Sequence, residues 1–214
     1  MLYLAPIGGF IDTDFGILAS PGSYGIPAGI KAGMPWAADN QAFTKGFDQA
    51  AFFPWLTTMV EYKDKCLFVA CPDVVGDAKK TLELFDQYQS AFAGWPVAFV
   101  AQDGQEYLDF PNADLWHCLF IGGSTAWKMS MGAIDCIHRA QYLGRHIHIG
   151  RVNWFRRYKH FASLANSERF TCDGTRTRFE HTKAIEDWRK YMASPKQLGL
   201  FVSRRDSGGQ SGNG

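Results

Sequence analysis

The chain has 214 residues, of which 46% are hydrophobic and 20% charged, and its formal net charge is +1. This length is somewhat short for a (β/α)8 barrel, which usually takes about 250 residues, but the hydrophobic content is ample for a packed core. The five cysteines form no CxxC pair and have no histidine at ligand spacing, which argues for a reducing compartment and against a structural zinc site.

No apolar run approaches the ~18 residues of a membrane span. The N-terminal segment Met1–Pro6 lacks the basic region of a signal peptide. We therefore expect a soluble cytoplasmic protein with no membrane partner, no bound metal and no cofactor.

The charges are unevenly distributed along the chain. Residues 1–138 carry 7 Lys/Arg and 15 Asp/Glu, whereas residues 139–214 carry 15 and 6. A basic half on a nearly neutral protein favours a surface for a polyanion, because Lys and Arg release counterions from phosphates. The alternative is that the two halves interleave in the fold and their charges cancel.

The predicted elements alternate between strands and helices. The first 34 residues are rich in Gly and Pro, with strands predicted at Leu2–Ile7 and Gly16–Ala19. Short apolar runs that suit buried parallel strands follow at residues 35–38, 66–71, 96–101, 115–121, 146–149 and 169–172. Helical spacing predicts helices over residues 49–62, 79–92, 131–143, 154–165 and 183–192. A last strand is predicted at residues 198–202.

Strands spaced by roughly 25–30 residues, with helices between them, predict βα units in a parallel array. Six to eight such units favour a closed barrel over an open sheet. No GxGxxG follows an early strand, so a dinucleotide-binding fold has no support. We predict an α/β fold, a compact (β/α)8 TIM-like barrel with irregular first units. It forms one domain over residues 1–205, before a disordered Gly/Ser-rich tail at residues 206–214.

The predicted strands end in carboxylates, an amide and glycines. In chain order these residues are Asp39, Asp73, Gln102, Gly122 with Gly123, Gly150 and Asp173. Strand C-termini of such a barrel meet at the face where chemistry is done. Carboxylates and an amide can read the Watson–Crick edge of a purine, a Gly-Gly turn exposes an N–H to a base carbonyl, and a third carboxylate is free to attack carbon. The alternative for Asp173 is an Asx-turn that closes its strand.

These strand ends resemble motifs of the tRNA-guanine transglycosylase superfamily, and more closely its phage and bacterial branch that inserts 7-deazaguanines into DNA. The family's Asp-Ser-Gly-Gly-Phe-Gln motif is similar to residues 39–43, which keep the Asp and the Phe. Its second base-reading Asp is similar to Asp73, which ends an apolar strand. Its Val-Gln-Gly-Gly and Gly-Gly-Leu turns resemble residues 100–104 and 122–124.

The family's nucleophile motif, Asp-Cys-Val-x-Pro-Thr-Arg, is similar to the shorter segment 173–176, and the resemblance spans roughly residues 35–178. Two departures stand out. The sequence has no Cys-x-Cys-x-x-Cys…His zinc site, which favours the DNA-modifying branch over tRNA enzymes. The family's Ser-Gly-Gly is replaced by Asn40-Gln41-Ala42.

The resemblance implies base exchange by double displacement in a bacterial or phage-infected cell. It makes Asp173 the nucleophile at C1′ and Asp39 the general acid and then base. It assigns the base edge to Asp73 and Gln102 and the base carbonyl to the Gly123 N–H. Gly122 and Gly150 complete the substrate site.

Phosphate contacts to DNA, or alternatively tRNA, are predicted for a group of arginines: Arg151, Arg156, Arg157, Arg176 and Arg178. For each of them a solvated surface role is the alternative. Trp154 and Tyr158 can stack on bases, although core packing is the favoured interpretation for Trp154. Because C1′ is buried in a duplex, the target nucleotide should be flipped out or single-stranded.

Three further expectations concern histidines, a cysteine and competing functions. We expect His146 and His148 to point to opposite sides of their strand, so that they cannot share a metal. We expect Cys172 to pack in the core rather than to act as a catalytic thiol. A non-catalytic nucleic-acid-binding barrel and a barrel glycosidase stay open as alternative functions.

Overall fold

The computed structural model describes residues 1–7, 14–22, 25–165 and 169–175, together with residues 182, 183, 185, 186 and 189. Eight parallel strands close into one barrel in chain order, which confirms the predicted (β/α)8 fold. The strands are β1 (Leu2–Pro6), β2 (Gly16–Ala19), β3 (Trp36–Ala38), β4 (Cys66–Ala70), β5 (Val97–Ala101), β6 (Cys118–Ile121), β7 (His146–Ile149) and β8 (Phe170–Asp173).

Helices follow most of the strands. They are α1 (Ala28–Lys31), α2 (Ala42–Lys45), α3 (Gln49–Thr58), α4 (Ala78–Tyr88), α5 (Thr125–Lys128), α6 (Met131–Tyr142) and α7 (Phe155–Leu164). Short 3-10 turns occur at Val60–Lys65, Gln89–Phe92, Gln105–Tyr107 and Ala113–Leu115. Three four-residue helices, α1, α2 and α5, have no counterpart in the sequence prediction, because one turn of helix is too short to show apolar periodicity.

The barrel closes through pairing of the first and last strands. Leu2 lies opposite Thr171 and Leu4 opposite Asp173, so the end of β8 is level with the middle of β1. The Tyr3 hydroxyl also donates to the Gly174 carbonyl at 2.6 Å, across the same seam. These contacts fix the height of Asp173 in the barrel.

The barrel interior is a small packed cluster, separate from the larger core between the strands and the helices. It takes one residue from each of six consecutive strands, Leu4, Leu18, Ala37, Phe68, Ala98 and Cys118. The partly buried Phe120 packs against this cluster. Side-chain layers of this kind make the inside of such a barrel a core and not a pore.

All five cysteines are free thiols, and Cys172 is fully buried. Burial, and then the neighbouring Asp173, raises the pKa of the Cys172 thiol well above its usual range, which agrees with the expected packing role. In the described part of the chain, no helix has the length and apolar character needed to cross a membrane.

Several predictions fall outside the described residues. They are the strand at residues 198–202, the tail at 206–214 and most of the helix at 183–192. The boundary of a single domain at residue 205 therefore stays a prediction.

Phe99 tests the packing of the core around the barrel. Its buried ring contacts Phe85, Phe110 and Trp116, with ring centroids 5.3, 5.9 and 6.3 Å away. We expect Phe99→Ala to lower the free energy of unfolding by about 3–5 kcal/mol, because the cavity cannot collapse fully. Urea denaturation measures this change. The exposed Tyr107 gives the control, since Tyr107→Ala should change the value by less than about 0.5 kcal/mol. Equal effects of the two variants would contradict the assigned core.

Candidate active site

The polar residues at the strand ends meet at one rim of the barrel. Asp39, Gln102, Gly122 and Gly150 each come directly after a strand, and Asp173 is the last residue of β8. All strands of a closed parallel barrel end on the same side, so the ends of β3 to β8 converge there.

Asp73 is held by two side-chain amides on that rim. Asn40 Nδ2 donates to Asp73 Oδ1 at 2.7 Å, and it also reaches the Cys71 carbonyl at 2.7 Å. Gln102 Nε2 donates to Asp73 Oδ2 at 2.6 Å. Burial raises the pKa of Asp73, and the bonds from Asn40 and Gln102 oppose that rise. The carboxylate is therefore fixed in orientation by its neighbours from β3 and β5.

The Gln102 side chain makes three hydrogen bonds at the rim. Its Oε1 accepts from the N–H of Gly76 at 2.9 Å and of Gly123 at 2.7 Å, while its Nε2 is used by Asp73. The side chain is only 1% exposed. We expected Gln102 to contact a base edge directly. The structure does not support this contact, because both the oxygen and the nitrogen of its amide are hydrogen-bonded to protein groups. Gln102 acts on the site by orienting Asp73.

The Gly122-Gly123 turn packs directly against Gln102. A Cβ on Gly122 would lie 2.5 Å from Gln102 Nε2, and Gly123 has φ +67°, so both positions require glycine. The Gly123 N–H points at Gln102 Oε1. It is thus already used within the protein, whereas we expected it to face a base carbonyl.

Arg151 spans the mouth of the barrel. Its backbone N–H donates to Asp173 Oδ1 at 2.8 Å, and its guanidinium donates to the Gly123 carbonyl. The guanidinium also lies 3.9 Å from the centroid of the Phe43 ring. Its φ of +60° is rare for a residue with a side chain and is maintained by these contacts. Arg151 therefore organises the mouth, and its predicted contact with phosphate stays a prediction.

These bonds form one connected set, which we call the rim network. It consists of Asn40, Asp73, Gln102, Gly123, Arg151 and Asp173. The network joins the ends of β3, β4, β5, β6, β7 and β8.

Asp173 has a second hydrogen-bond partner, His148, below it in the barrel. His148 Nε2 lies 3.2 Å from Asp173 Oδ1, and His148 Nδ1 lies 2.9 Å from Thr171 Oγ1. His146 Nε2 is also 2.9 Å from Thr171 Oγ1. The expectation that the two histidines point to opposite sides was wrong, because residues two apart in a strand share a face. Both face the interior.

Asp39 is a carboxyl group whose pKa is strongly raised by its surroundings. Burial, and then the negative charges of Asp173 and Asp73, raise the pKa of Asp39 to about 7, although the Gln41 N–H at 3.3 Å opposes the rise. A carboxyl group with such a pKa can both give and take a proton near neutral pH. The influence of both other carboxylates on Asp39 agrees with the position of all three acids at the same rim of the barrel.

Lys128 is a charged residue of the site that sequence reasoning missed. It ends α5, is 3% exposed, and donates from Nζ to the Gly150 carbonyl at 2.6 Å. Burial, and then the charge of Arg151, lowers the pKa of Lys128 to about 7. Nothing in its local sequence signals this, because the site position comes from a one-turn helix behind β6.

Contacts to nucleic acid were predicted mainly on α7 and beyond β8. Arg156 is exposed and Arg157 half-buried, whereas Arg176 and Arg178 lie outside the described residues.

Trp154 and Tyr158, the two aromatic residues predicted nearby, differ from the prediction in their burial. Trp154 is 65% exposed rather than packed in the core. Tyr158 is 4% exposed, and its hydroxyl donates to the Met1 carbonyl at 3.0 Å. Of these two residues, Trp154 is therefore the one whose ring is exposed for stacking on a base.

A cleft of about 530 Å3 opens beside Asp73. Its lining includes the aromatic rings of Phe43, Phe47 and Tyr88, together with Val75 and Asp73. This size and lining suit a planar ring such as a purine.

The chain matches no family model, and no match to a curated protein sequence is found. Among the described residues, no group of three or more His, Cys, Asp or Glu side chains is arranged to hold a metal ion. The chemistry of the site has to be inferred from its carboxylates and its rim network.

The raised pKa of Asp39 makes stability depend on pH in a defined direction. Between about pH 4 and pH 7 the native carboxyl keeps a proton that the unfolded chain has released, so this contribution to stability is lost as pH rises. Asp39→Asn removes that loss. We expect the free energy of unfolding of the variant, relative to the unmodified protein, to rise by on the order of 2 kcal/mol from about pH 4.5 to about pH 7.5.

Urea denaturation at both pH values measures this difference. Asp86→Asn, on the exposed side of α4, is the matched control for removal of one carboxylate. A difference for Asp39→Asn that stays the same at both pH values, or that falls as pH rises, would contradict the assigned environment.

Proposed function

We propose that the protein is a base-exchange transglycosylase that replaces guanine in DNA with a 7-deazaguanine such as preQ0. The observation that carries the proposal is the meeting of Asp39, Asp73 and Asp173 at one mouth, in three different environments. Each environment suits a different task in the reaction. The resemblance of the strand-end motifs to guanine transglycosylases gives the same assignment of tasks.

Asp173 is the proposed nucleophile. Its Oδ1 is held by the Arg151 N–H and by His148, which fixes the carboxylate at the rim. The carboxylate attacks C1′ of the target nucleotide, and the electron pair of the C1′–N9 bond leaves with guanine. The product is a covalent ester between Asp173 and the sugar.

Asp39 is the proposed proton carrier. Its pKa of about 7 leaves a substantial protonated fraction at neutral pH, so it can protonate the departing guanine. Its carboxylate then takes the proton from N9 of the incoming 7-deazaguanine. N9 attacks C1′, and the bond to Asp173 breaks, which restores the carboxylate. One acid thus serves both half-reactions, as in retaining glycosidases.

Asp73 is the proposed reader of the base. A guanine edge presents an N1–H and an amino group, both of which need acceptors, and a fixed carboxylate supplies them. The amides of Asn40 and Gln102 hold Asp73 in one orientation, which favours discrimination between bases. The cleft beside Asp73 has room for the guanine ring.

The nucleic-acid side of the proposal rests on α7. The exposed Trp154 and Arg156 stand at the start of this helix, directly after the β7 end of the rim. An exposed aromatic ring and an exposed cation are features that proteins use to bind a single strand or a flipped nucleotide. DNA is preferred over tRNA because the sequence has no zinc site of the tRNA enzymes.

A base-exchange assay tests the proposal. Radiolabelled guanine is incubated with the protein and with DNA or tRNA, and we expect label to enter DNA. Asp173→Asn should lower incorporation by at least about 1000-fold, because the nucleophile is lost, while binding of DNA changes little. Label in tRNA would transfer the assignment to the tRNA branch. Binding without exchange would support a non-catalytic barrel instead.

The dependence of the first half-reaction on pH tests the role of Asp39. Guanine release in a single turnover should slow as pH rises above about 7, because the acid form is lost. Asp39→Asn should be slow at every pH and should lack this decline. Rapid-quench measurement of released guanine gives the rates. An unmodified protein whose release rate is flat from about pH 6 to 8.5 would exclude Asp39 as the acid.

A further inference from the structure

A line of polar side chains runs through the otherwise apolar interior of the barrel. It begins at His146, passes through Thr171 and His148, and ends at Asp173. His148 and Thr171 are fully buried. The His148 ring is packed between Phe68 and Phe120, with centroids 4.7 and 4.5 Å away. Polar groups in such a place are costly unless every one is bonded.

The charge states of the groups set the direction of each hydrogen bond in this line. Burial lowers the pKa of His148, and it lowers the pKa of His146 to about 3, so both rings are neutral at pH 7. A carboxylate only accepts, so His148 Nε2 carries the hydrogen and its Nδ1 is an acceptor. The Thr171 hydroxyl must then donate to His148 Nδ1 at 2.9 Å rather than to the Ile147 carbonyl at 3.5 Å. Its oxygen is left to accept from the Nε2–H of His146.

We infer that His148 is a positioning residue for the nucleophile: its Nε2–H and the Arg151 N–H hold Asp173 Oδ1, leaving Oδ2 as the attacking oxygen. Within the described residues, no hydrogen bond to Asp173 Oδ2 is found. The inference rests on the proposed function in making Asp173 the nucleophile. His148 neither gives nor takes a proton in the reaction. The bond to C1′ forms from Oδ2, and the electron pair of C1′–N9 leaves with the base.

Thr171 sets the orientation of the ring. Without a donor at Nδ1, the imidazole could rotate or change tautomer, and the Nε2–H would no longer be aimed at Asp173. His146 in turn fixes the hydroxyl of Thr171. His146 and Thr171, which lie deeper in the barrel, therefore fix the orientation of the His148 ring, and this ring fixes Asp173 at the rim.

The first test is independent of catalysis. Nitrogen-15 NMR of histidine-labelled protein distinguishes the two neutral tautomers, and the signals of His148 are identified by their loss in His148→Phe. We expect His148 and His146 both in the Nε2–H form at about pH 7.5. Asp173→Ala should shift the His148 Nε2–H resonance. An Nδ1–H tautomer at His148, or no response to Asp173→Ala, would overturn the inference even if base exchange is observed.

The second test measures the covalent step with paired variants. His148→Phe keeps an aromatic ring and removes both nitrogens, Thr171→Val keeps the shape and removes the hydroxyl, and Thr171→Ser restores a hydroxyl. We expect the first two to lower the rate of guanine release by about 10- to 100-fold, the factor that one hydrogen bond to a charged group supplies. The KM for DNA should stay within about twofold, and Thr171→Ser should recover most of the rate.

His138→Gln, on the exposed surface of α6, is the control and should keep full activity. Circular dichroism checks that each variant folds, and Thr171→Val serves if His148→Phe does not. A loss that appears in KM rather than kcat, or full activity of a folded Thr171→Val, would reject the positioning role. Absence of exchange by the unmodified protein would count against the proposed function alone, since the NMR result would still decide the contact.

Discussion

Three carboxylates share one mouth, and the rest of the site follows from the cost of burying them, to which the charges of Asp173 and Asp73 add at Asp39. Charges of like sign in a partly buried place cannot all be kept without compensation. The three carboxyl groups are compensated in different ways. Asp39 keeps a proton up to about pH 7, Asp73 receives two amide donors, and Asp173 receives a backbone N–H and an imidazole. The division of labour proposed for catalysis is thus a consequence of electrostatics, with Arg151 as the cation at the centre.

The backbone at the rim is shaped by the same need. Arg151 takes a left-handed conformation so that its N–H reaches Asp173 while its guanidinium reaches the Gly123 carbonyl. Gly122 is small enough to let Gln102 lie against the turn. A larger residue there would displace the amide that orients Asp73. The glycines of this rim therefore serve the placement of carboxylates, and a direct contact with a ligand is not needed to explain them.

Sequence reasoning located the acids because the end of an apolar run marks the end of a strand, and all strands of a parallel barrel end together. β7 was predicted with its observed bounds, and Asp39 and Asp173 followed from the same logic. Partners of the acids were harder to find. Asn40, Lys128 and His148 gain their roles from register between strands and from a one-turn helix, neither of which leaves a local pattern.

Charged residues from both the acidic and the basic part of the chain lie at the mouth of the folded barrel. The acidic part of the chain supplies Asp39, Asp73 and Lys128 to the mouth, whereas the basic part supplies Asp173 and Arg151 there and Arg156 on the helix outside. Under the proposed function, the carboxylates of the mouth repel phosphate, whereas the exposed Arg156 on α7 attracts it. In this proposal, a nucleotide would keep its phosphates toward α7 and turn its base toward the mouth. The repulsion that the site has to manage therefore also favours the base-in orientation that the proposed chemistry requires.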